Sequence, residues 1–303
     1  MIALLAPGQG SQTPGMLAAW TALDGATDRL EAWSEATGMD LARLGTTAEA
    51  EEITDTAMTQ PLVVAAALLA HRALVERDLL PTPMLTAGHS IGEVAAAAVA
   101  GVLTDDQAVR LAAVRGAAMA RACAAAPTGM SAVLGGDEDE VLDRIAELGL
   151  EPANRNAKGQ IVAAGALEDL AKLAETPPEK ARVRALPVAG AFHTRYMEPA
   201  VAEVAAAAAE ITPADPAVPL LSNADGAVLT DGAEVLRRLV DQVTRPVRWD
   251  LCTATMRERG VTGLAELPPA GTLVGIARRE MRGTPTLAMK TPDDLAGPAG
   301  LGA

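Results

Sequence analysis

A chain of 303 residues, half of them apolar, can bury a large core as one big domain or as a main domain with an insertion. Its net charge of -14 argues against a nucleic-acid partner, and its two isolated cysteines build neither a CxxC pair nor a metal cluster and imply no structural disulfide. The longest stretch free of charges and breakers, Leu62 to Ala70, is far too short to span a bilayer, and the first residues turn at Pro7-Gly8 without a basic leader, so a reducing cytoplasm is the expected compartment.

Ile2 to Ala6 reads as a short apolar strand that runs into Pro7-Gly8-Gln9-Gly10 and then a helix containing Met16 to Trp20. A second helix is expected from Thr59-Gln60-Pro61 to about Glu76, apolar almost all round and therefore buried against a sheet. After Pro83, Met84 to Ala87 forms a short strand, and Glu93 to Val102 a helix of Ala and Val ended by Gly101. Between them lies Gly88-His89-Ser90-Ile91-Gly92, a serine in a sharp turn between strand and helix. This is the pattern of a nucleophile elbow: side chains at Gly88 or Gly92 would strike neighbouring backbone, Ser90 is held out from the fold, and the Ile91 amide is free to meet an oxyanion. The opening segment repeats the theme, so two strand ends can meet at one site, and the alternation of strands and helices points to a parallel α/β sheet.

The helix from Asp105 to Ala122 carries three arginines, of which Arg115 falls on the apolar stripe of Leu111 and Met119 while Arg110 and Arg121 project away. A guanidinium there needs a partner, either an internal carboxylate or one brought by a substrate, and periodicity leaves both open. From Met130 the pattern changes to strand (131–134), helix (137–148), strand (152–156), strand (160–164), helix (167–174) and strand (181–186). That βαββαβ order is ferredoxin-like. Elements resume with a helix over 199–211, a strand over 220–222, helices over 232–243 and 250–259, and a strand over 261–267. The expected architecture is an α/β hydrolase-like large subdomain with a parallel core (1–128 and 190–303) carrying an inserted ferredoxin-like subdomain (129–189), with a ligand cleft between them.

Ser90 needs a base, and the chain has three histidines. His89 is adjacent to Ser90 and diverges from it. His71 lies on the apolar helix, where packing or capping is the expected role. His193, in the loop Val188 to Thr194 that returns from the insertion to the cleft, is the favoured general base and acid.

Taken together these segments resemble the malonyl-CoA:acyl carrier protein transacylases and the acyltransferase domains of fatty acid and polyketide synthases. The resemblance spans Pro7-Gly8-Gln9-Gly10-Ser11-Gln12, Gly88 to Glu93, Arg115-Gly116, Ala191-Phe192-His193-Thr194, Ser222-Asn223, Gln242 with Pro246-Val247-Arg248-Trp249, and Lys290-Thr291-Pro292. It implies that Ser90 accepts the acyl group as an ester, that His193 activates it, and that Gln9 and Ile91 give the oxyanion amides. It further implies that the Gln242 carbonyl orients the histidine, that Arg115 clamps the malonate carboxylate, and that Asn156 faces the cleft from the small subdomain. Phe192, the only phenylalanine of the chain, and Ile91 are similar to residues of enzymes that take malonate rather than methylmalonate. The implied activity is ping-pong transfer of malonyl from malonyl-CoA to the phosphopantetheine thiol of an acyl carrier protein, with these two as substrates and no cofactor, by a discrete enzyme that is most simply a monomer. The rival readings are a serine thioesterase or esterase, an acyltransferase for another extender unit, and a non-catalytic carrier-docking module. Two departures stand out: Glu266 to Thr272 replaces the family's Gly-Pro-Gly turn with a double proline, and the Gly-, Ala- and Pro-rich tail after Asp294 is expected to be disordered.

Overall fold

In the computed structural model, which describes residues 1–301, β1 (Ile2–Ala6) is buried along its whole length. Its side chains alternate between two layers: Leu4 and Ala6 enter one core, Ala3 and Leu5 the other. A strand covered on both faces belongs in the middle of a parallel sheet. Helices α1 (Ala26–Thr37), α2 (Leu41–Thr46) and α3 (Thr56–Glu76) separate it from its parallel neighbour β2 (Met84–Gly88). Residues Met16 to Trp20, expected as a helix, instead form turns. Gly15 at φ 73° breaks the run, the Ala18 amide donates to the Gly15 carbonyl at 2.9 Å, and only a 3-10 turn follows at Trp20–Ala22. Helix α3 starts before its proline signal, capped by Asp55 with Pro61 inside it. Among the described residues it alone has the length and apolarity of a membrane span, and 83% of that window is buried in the fold.

The elbow leads into α4 (Gly92–Val99), shorter than expected because the chain turns at Gly101 with φ 82°. Helix α5 (Asp105–Cys123) follows, closed at its start by a Thr104/Gln107 capping box. Next come β3 (Thr128–Gly135), α6 (Glu138–Glu147), β4 (Glu151–Ala157), β5 (Gln160–Ala166), α7 (Leu167–Glu175) and β6 (Ala181–Ala185). The four strands form an antiparallel sheet in the order β4-β5-β3-β6, the ferredoxin-like arrangement, over a separate core that includes Val133, Ile145, Ile161 and Leu173. Strand β4 is tied to the large layer at Val247: its amide donates to the Ala153 carbonyl and its carbonyl accepts from the Arg155 amide, both at 2.9 Å.

The chain then returns to the first layer with α8 (Glu198–Ala209), β7 (Leu220–Leu221), β8 (Val228–Leu229), α9 (Gly232–Asp241), α10 (Trp249–Glu258), β9 (Gly263–Glu266), α11 (Thr272–Glu280), β10 (Thr286–Ala288) and α12 (Gly297–Gly300). The large sheet runs β10-β9-β1-β2-β7-β8, parallel except at β8. The tail expected to be disordered is ordered as far as it is described. Asp294 caps the Thr291 turn, and Leu295 is buried. Residues 302 and 303 lie outside the described part.

Candidate active site

The central strands β1 and β2 end side by side, with Ala6 paired to Gly88 and the His89 amide donating to the Ala6 carbonyl at 3.1 Å. Crowding here explains the glycines. A Cβ on Gly88 would sit 1.9 Å from the Gly92 carbonyl oxygen, and one on Gly92 would sit 2.2 Å from the Ala6 carbonyl oxygen. Ser90 occupies the turn at φ 54°, a left-handed conformation that a serine holds only where the surroundings enforce it. Its amide donates to Asn223 Oδ1 at 2.8 Å, while the Gln9 and Ile91 amides have no acceptor among the described residues. Both amides are thus free to donate, and both residues line the same cavity as Ser90.

His193, the second strained residue at φ 62°, places Nε2 2.7 Å from Ser90 Oγ. Its Nδ1 lies 2.8 Å from the main-chain carbonyl of Gln242, the residue that ends α9. A carbonyl only accepts, so Nδ1 carries the proton and Nε2 is left bare toward the serine hydroxyl. Carbonyls in the last turn of a helix lack intrahelical partners, and α9 thus supplies an acceptor where a carboxylate would otherwise be needed. Burial, and secondarily the Arg115 cation, hold His193 at about 3, well below an ordinary imidazole, so it rests as a neutral base.

Arg115 is 1% exposed on α5, between the buried Leu111 and Met119. It has no carboxylate in ion-pair reach among the described residues, so no internal carboxylate pairs with it directly; the nearest anion that acts on it is Glu93. Its Nη1 donates to Gln60 Oε1 at 2.7 Å and its Nη2 to Gln242 Oε1 at 2.9 Å, with Ser90 Oγ 3.5 Å away. Its Nε is buried without a partner among the described residues. Burial pushes the guanidinium down to about 10, still charged at neutral pH.

These groups share one cavity of about 500 Å³ between the two sheets, lined by Gln9, Ser90, Arg115, Asn156, Phe192 and His193 among others. Asn156 reaches it from β4, but its Oδ1 is engaged by His89 Nε2 at 2.8 Å. His89 accordingly turns from Ser90 and lies against Trp249. His71 is buried on α3 away from this cavity. Sequence reasoning missed three parts of the network: Gln60 on Arg115, the Gln242 side chain on Arg115, and Asn223 on the Ser90 amide. Each follows from a contact between elements distant in sequence, for which no local signal exists. The double-proline loop is anchored by Glu266, whose carboxylate accepts the Gly271, Leu273 and Val274 amides at the start of α11.

Comparison with known proteins agrees with this geometry. The model of the acyl transferase domain matches residues 4–291. A malonyl CoA-acyl carrier protein transacylase of Mycobacterium tuberculosis is 64% identical over 296 residues, covering 97% of this chain and 98% of that protein. Its Escherichia coli namesake is 33% identical over 97% of both chains. Among solved structures, that of MCAT from Mycobacterium tuberculosis superposes with a TM-score of 0.96 over 98% of this chain and 99% of that one, at 64% identity. A type II PKS acyl-carrier protein in complex with its malonyl-transacylase gives 0.91 at 30% identity, over 99% of both chains. With a family model and full-length relatives agreeing, this chain belongs to the acyl transferase domain family, among the malonyl CoA-acyl carrier protein transacylases.

Proposed function

We propose that this protein moves a malonyl group from malonyl-CoA to the phosphopantetheine thiol of an acyl carrier protein, through an ester on Ser90. The observation that carries the reading is Arg115: a charged, buried guanidinium beside the Ser90–His193 pair with no carboxylate in direct contact among the described residues. A malonyl carboxylate completes it, whereas a neutral acetyl group leaves it unpaired, a difference of roughly several kcal/mol.

The steps follow from the geometry. Ser90 Oγ attacks the thioester carbonyl as its proton passes to His193 Nε2, and the Gln9 and Ile91 amides receive the oxyanion. Collapse expels the thiolate of coenzyme A, which takes the proton from His193. The carrier thiol then gives its proton to His193 and attacks the ester, and the returning proton restores Ser90. The Arg115 cation is one cause of the low basicity of His193. A malonyl carboxylate on Arg115 offsets it, so the group that is recognised also strengthens the base. The relative solved with its acyl-carrier protein supports a carrier thiol as acceptor.

Phe192, 7% exposed beside His193, and Ile91, fully buried, line the cavity next to Ser90, which supports a preference for an acyl group without an α-methyl branch. Intact-mass measurement after mixing with malonyl-, methylmalonyl- and acetyl-CoA tests the reading: a malonyl adduct on Ser90 that discharges onto an added carrier protein is expected. An adduct lost to water equally fast without a thiol would make the protein a thioesterase.

A further inference from the structure

Glu93, in the first turn of α4, is 2% exposed and takes no part in the steps above. Its carboxylate accepts from two sides: the Asn223 amide donates to Oε1 at 3.0 Å, and the Gln242 side-chain amide donates to Oε2. Behind each partner stands a reacting group. Asn223 holds the Ser90 amide through Oδ1 at 2.8 Å and the Gly88 carbonyl through Nδ2 at 2.7 Å. Gln242 gives Oε1 to Arg115 and its main-chain carbonyl to His193.

The sense of the Gln242 amide is forced by its neighbours. A guanidinium only donates and a carboxylate only accepts, so an inverted amide would set NH₂ against Arg115 and carbonyl against Glu93. The amide also solves an electrostatic problem. A carboxylate in direct contact with Arg115 would compete with the substrate's own, yet a buried guanidinium with no anion nearby is costly. With Gln242 between them, Glu93 compensates the charge while leaving part of the guanidinium uncovered.

We infer that Glu93 is a positioning residue for the transfer reaction: through the Gln242 amide it orients Arg115 and balances its charge, keeping the guanidinium open to the carboxylate of the acyl group. This rests on the malonyl-transfer reading of the site. Burial pushes the Glu93 carboxyl up to about 7, against its hydrogen bonds to Asn223 and Gln242 and the Arg115 charge. The charged and titratable groups that face it are Arg115 on α5, Arg238 on α9 and Cys252 on α10, whose thiol burial holds neutral. A second cavity, about 440 Å³, is lined by both Glu93 and Gln242, and the charged residues Asp225, Arg237, Asp241, Arg245 and Arg248 share its lining with Arg238.

The test compares single-turnover acylation of Ser90 by malonyl-CoA and acetyl-CoA in the full chain. In Glu93→Gln, one of the two donors now faces an NH₂ group. The malonyl-to-acetyl ratio is expected to fall about tenfold or more, with KM for malonyl-CoA changing more than kcat. Glu93→Asp, which keeps the charge, is expected to retain more of the ratio. The unaltered protein gives a readout that needs no variant: the ratio should fall from about pH 8 to about pH 6 as Glu93 is protonated, since effects on Ser90 and His193 common to both thioesters cancel. A ratio independent of pH in the unaltered protein, or a Glu93→Gln protein that loses thermal stability while its ratio is unchanged or higher, overturns the inference. Failure of malonyl-CoA to acylate the unaltered protein would instead refute the transfer reading itself.

Discussion

Two residues at the site hold left-handed backbone that their side chains disfavour, Ser90 at φ 54° and His193 at φ 62°, and they are the pair joined at 2.7 Å. Strain of this kind persists where the surroundings over-determine it. Gly88→Ala tests the enforcement: with backbone 1.9 Å from the new Cβ, a loss of about 3 kcal/mol or more is expected in denaturant unfolding. Phe192→Ser should widen the cavity next to His193 and raise methylmalonyl acylation relative to malonyl by about tenfold, as read by intact mass. Methylmalonyl acylation that stayed unchanged would remove Phe192 from the selectivity account. The elbow was legible in the sequence because glycine spacing reports local steric demand. Glu93 was not, since an acidic residue in the first turn of a helix looks like an ordinary response to the helix dipole. Only the approach of Asn223 and Gln242 from far along the chain makes it a hub.

At the scale of elements, α9 and α11 do more than cover the sheet. Helix α9 ends where its carbonyl meets His193, and α11 begins on the Glu266 carboxylate and lines the cavity with Leu273 and Ile276. Glu266→Ala strands three amides that it now binds. A loss of about 2–3 kcal/mol in unfolding free energy and a higher KM for malonyl-CoA are expected. An unchanged KM with full loss of stability would confine Glu266 to a structural role. Elements with continuous apolar runs, such as β1, β2 and α3, could be read from sequence because burial on all sides leaves a dense signal. Helix α1 buries only Ala26, Leu30 and Trp33, and α11 follows a double proline that reads as loop, so their local patterns were too sparse or too broken. The reverse error occurred at Met16 to Trp20, where helix-forming residues yield to Gly15 at φ 73°.

Across the whole molecule, the inserted sheet was legible because its βαββαβ order is a grammar distinct from the parallel layer around it. The polar seam between the layers was not, since it depends on which side chains the two sheets bring together. Buried neutral groups make that architecture sensitive to acid. Burial holds His71 at about 4, so the folded state refuses a proton that the unfolded chain accepts below its ordinary value of 6.5. Its contribution is present above pH 6.5 and is lost as pH falls toward 4, so His71→Leu should lose about 2 kcal/mol less stability than the parent between about pH 7 and pH 5. Denaturant melts at the two pH values measure it, and equal losses in both proteins would contradict it. The account as a whole depends on the cation at the centre of the cleft. Replacing Arg115 with alanine and timing Ser90 acylation by malonyl-CoA and acetyl-CoA tests it most directly: malonyl acylation is predicted to fall about 10²–10³-fold while acetyl acylation holds or rises. An equal fall with both thioesters would contradict it.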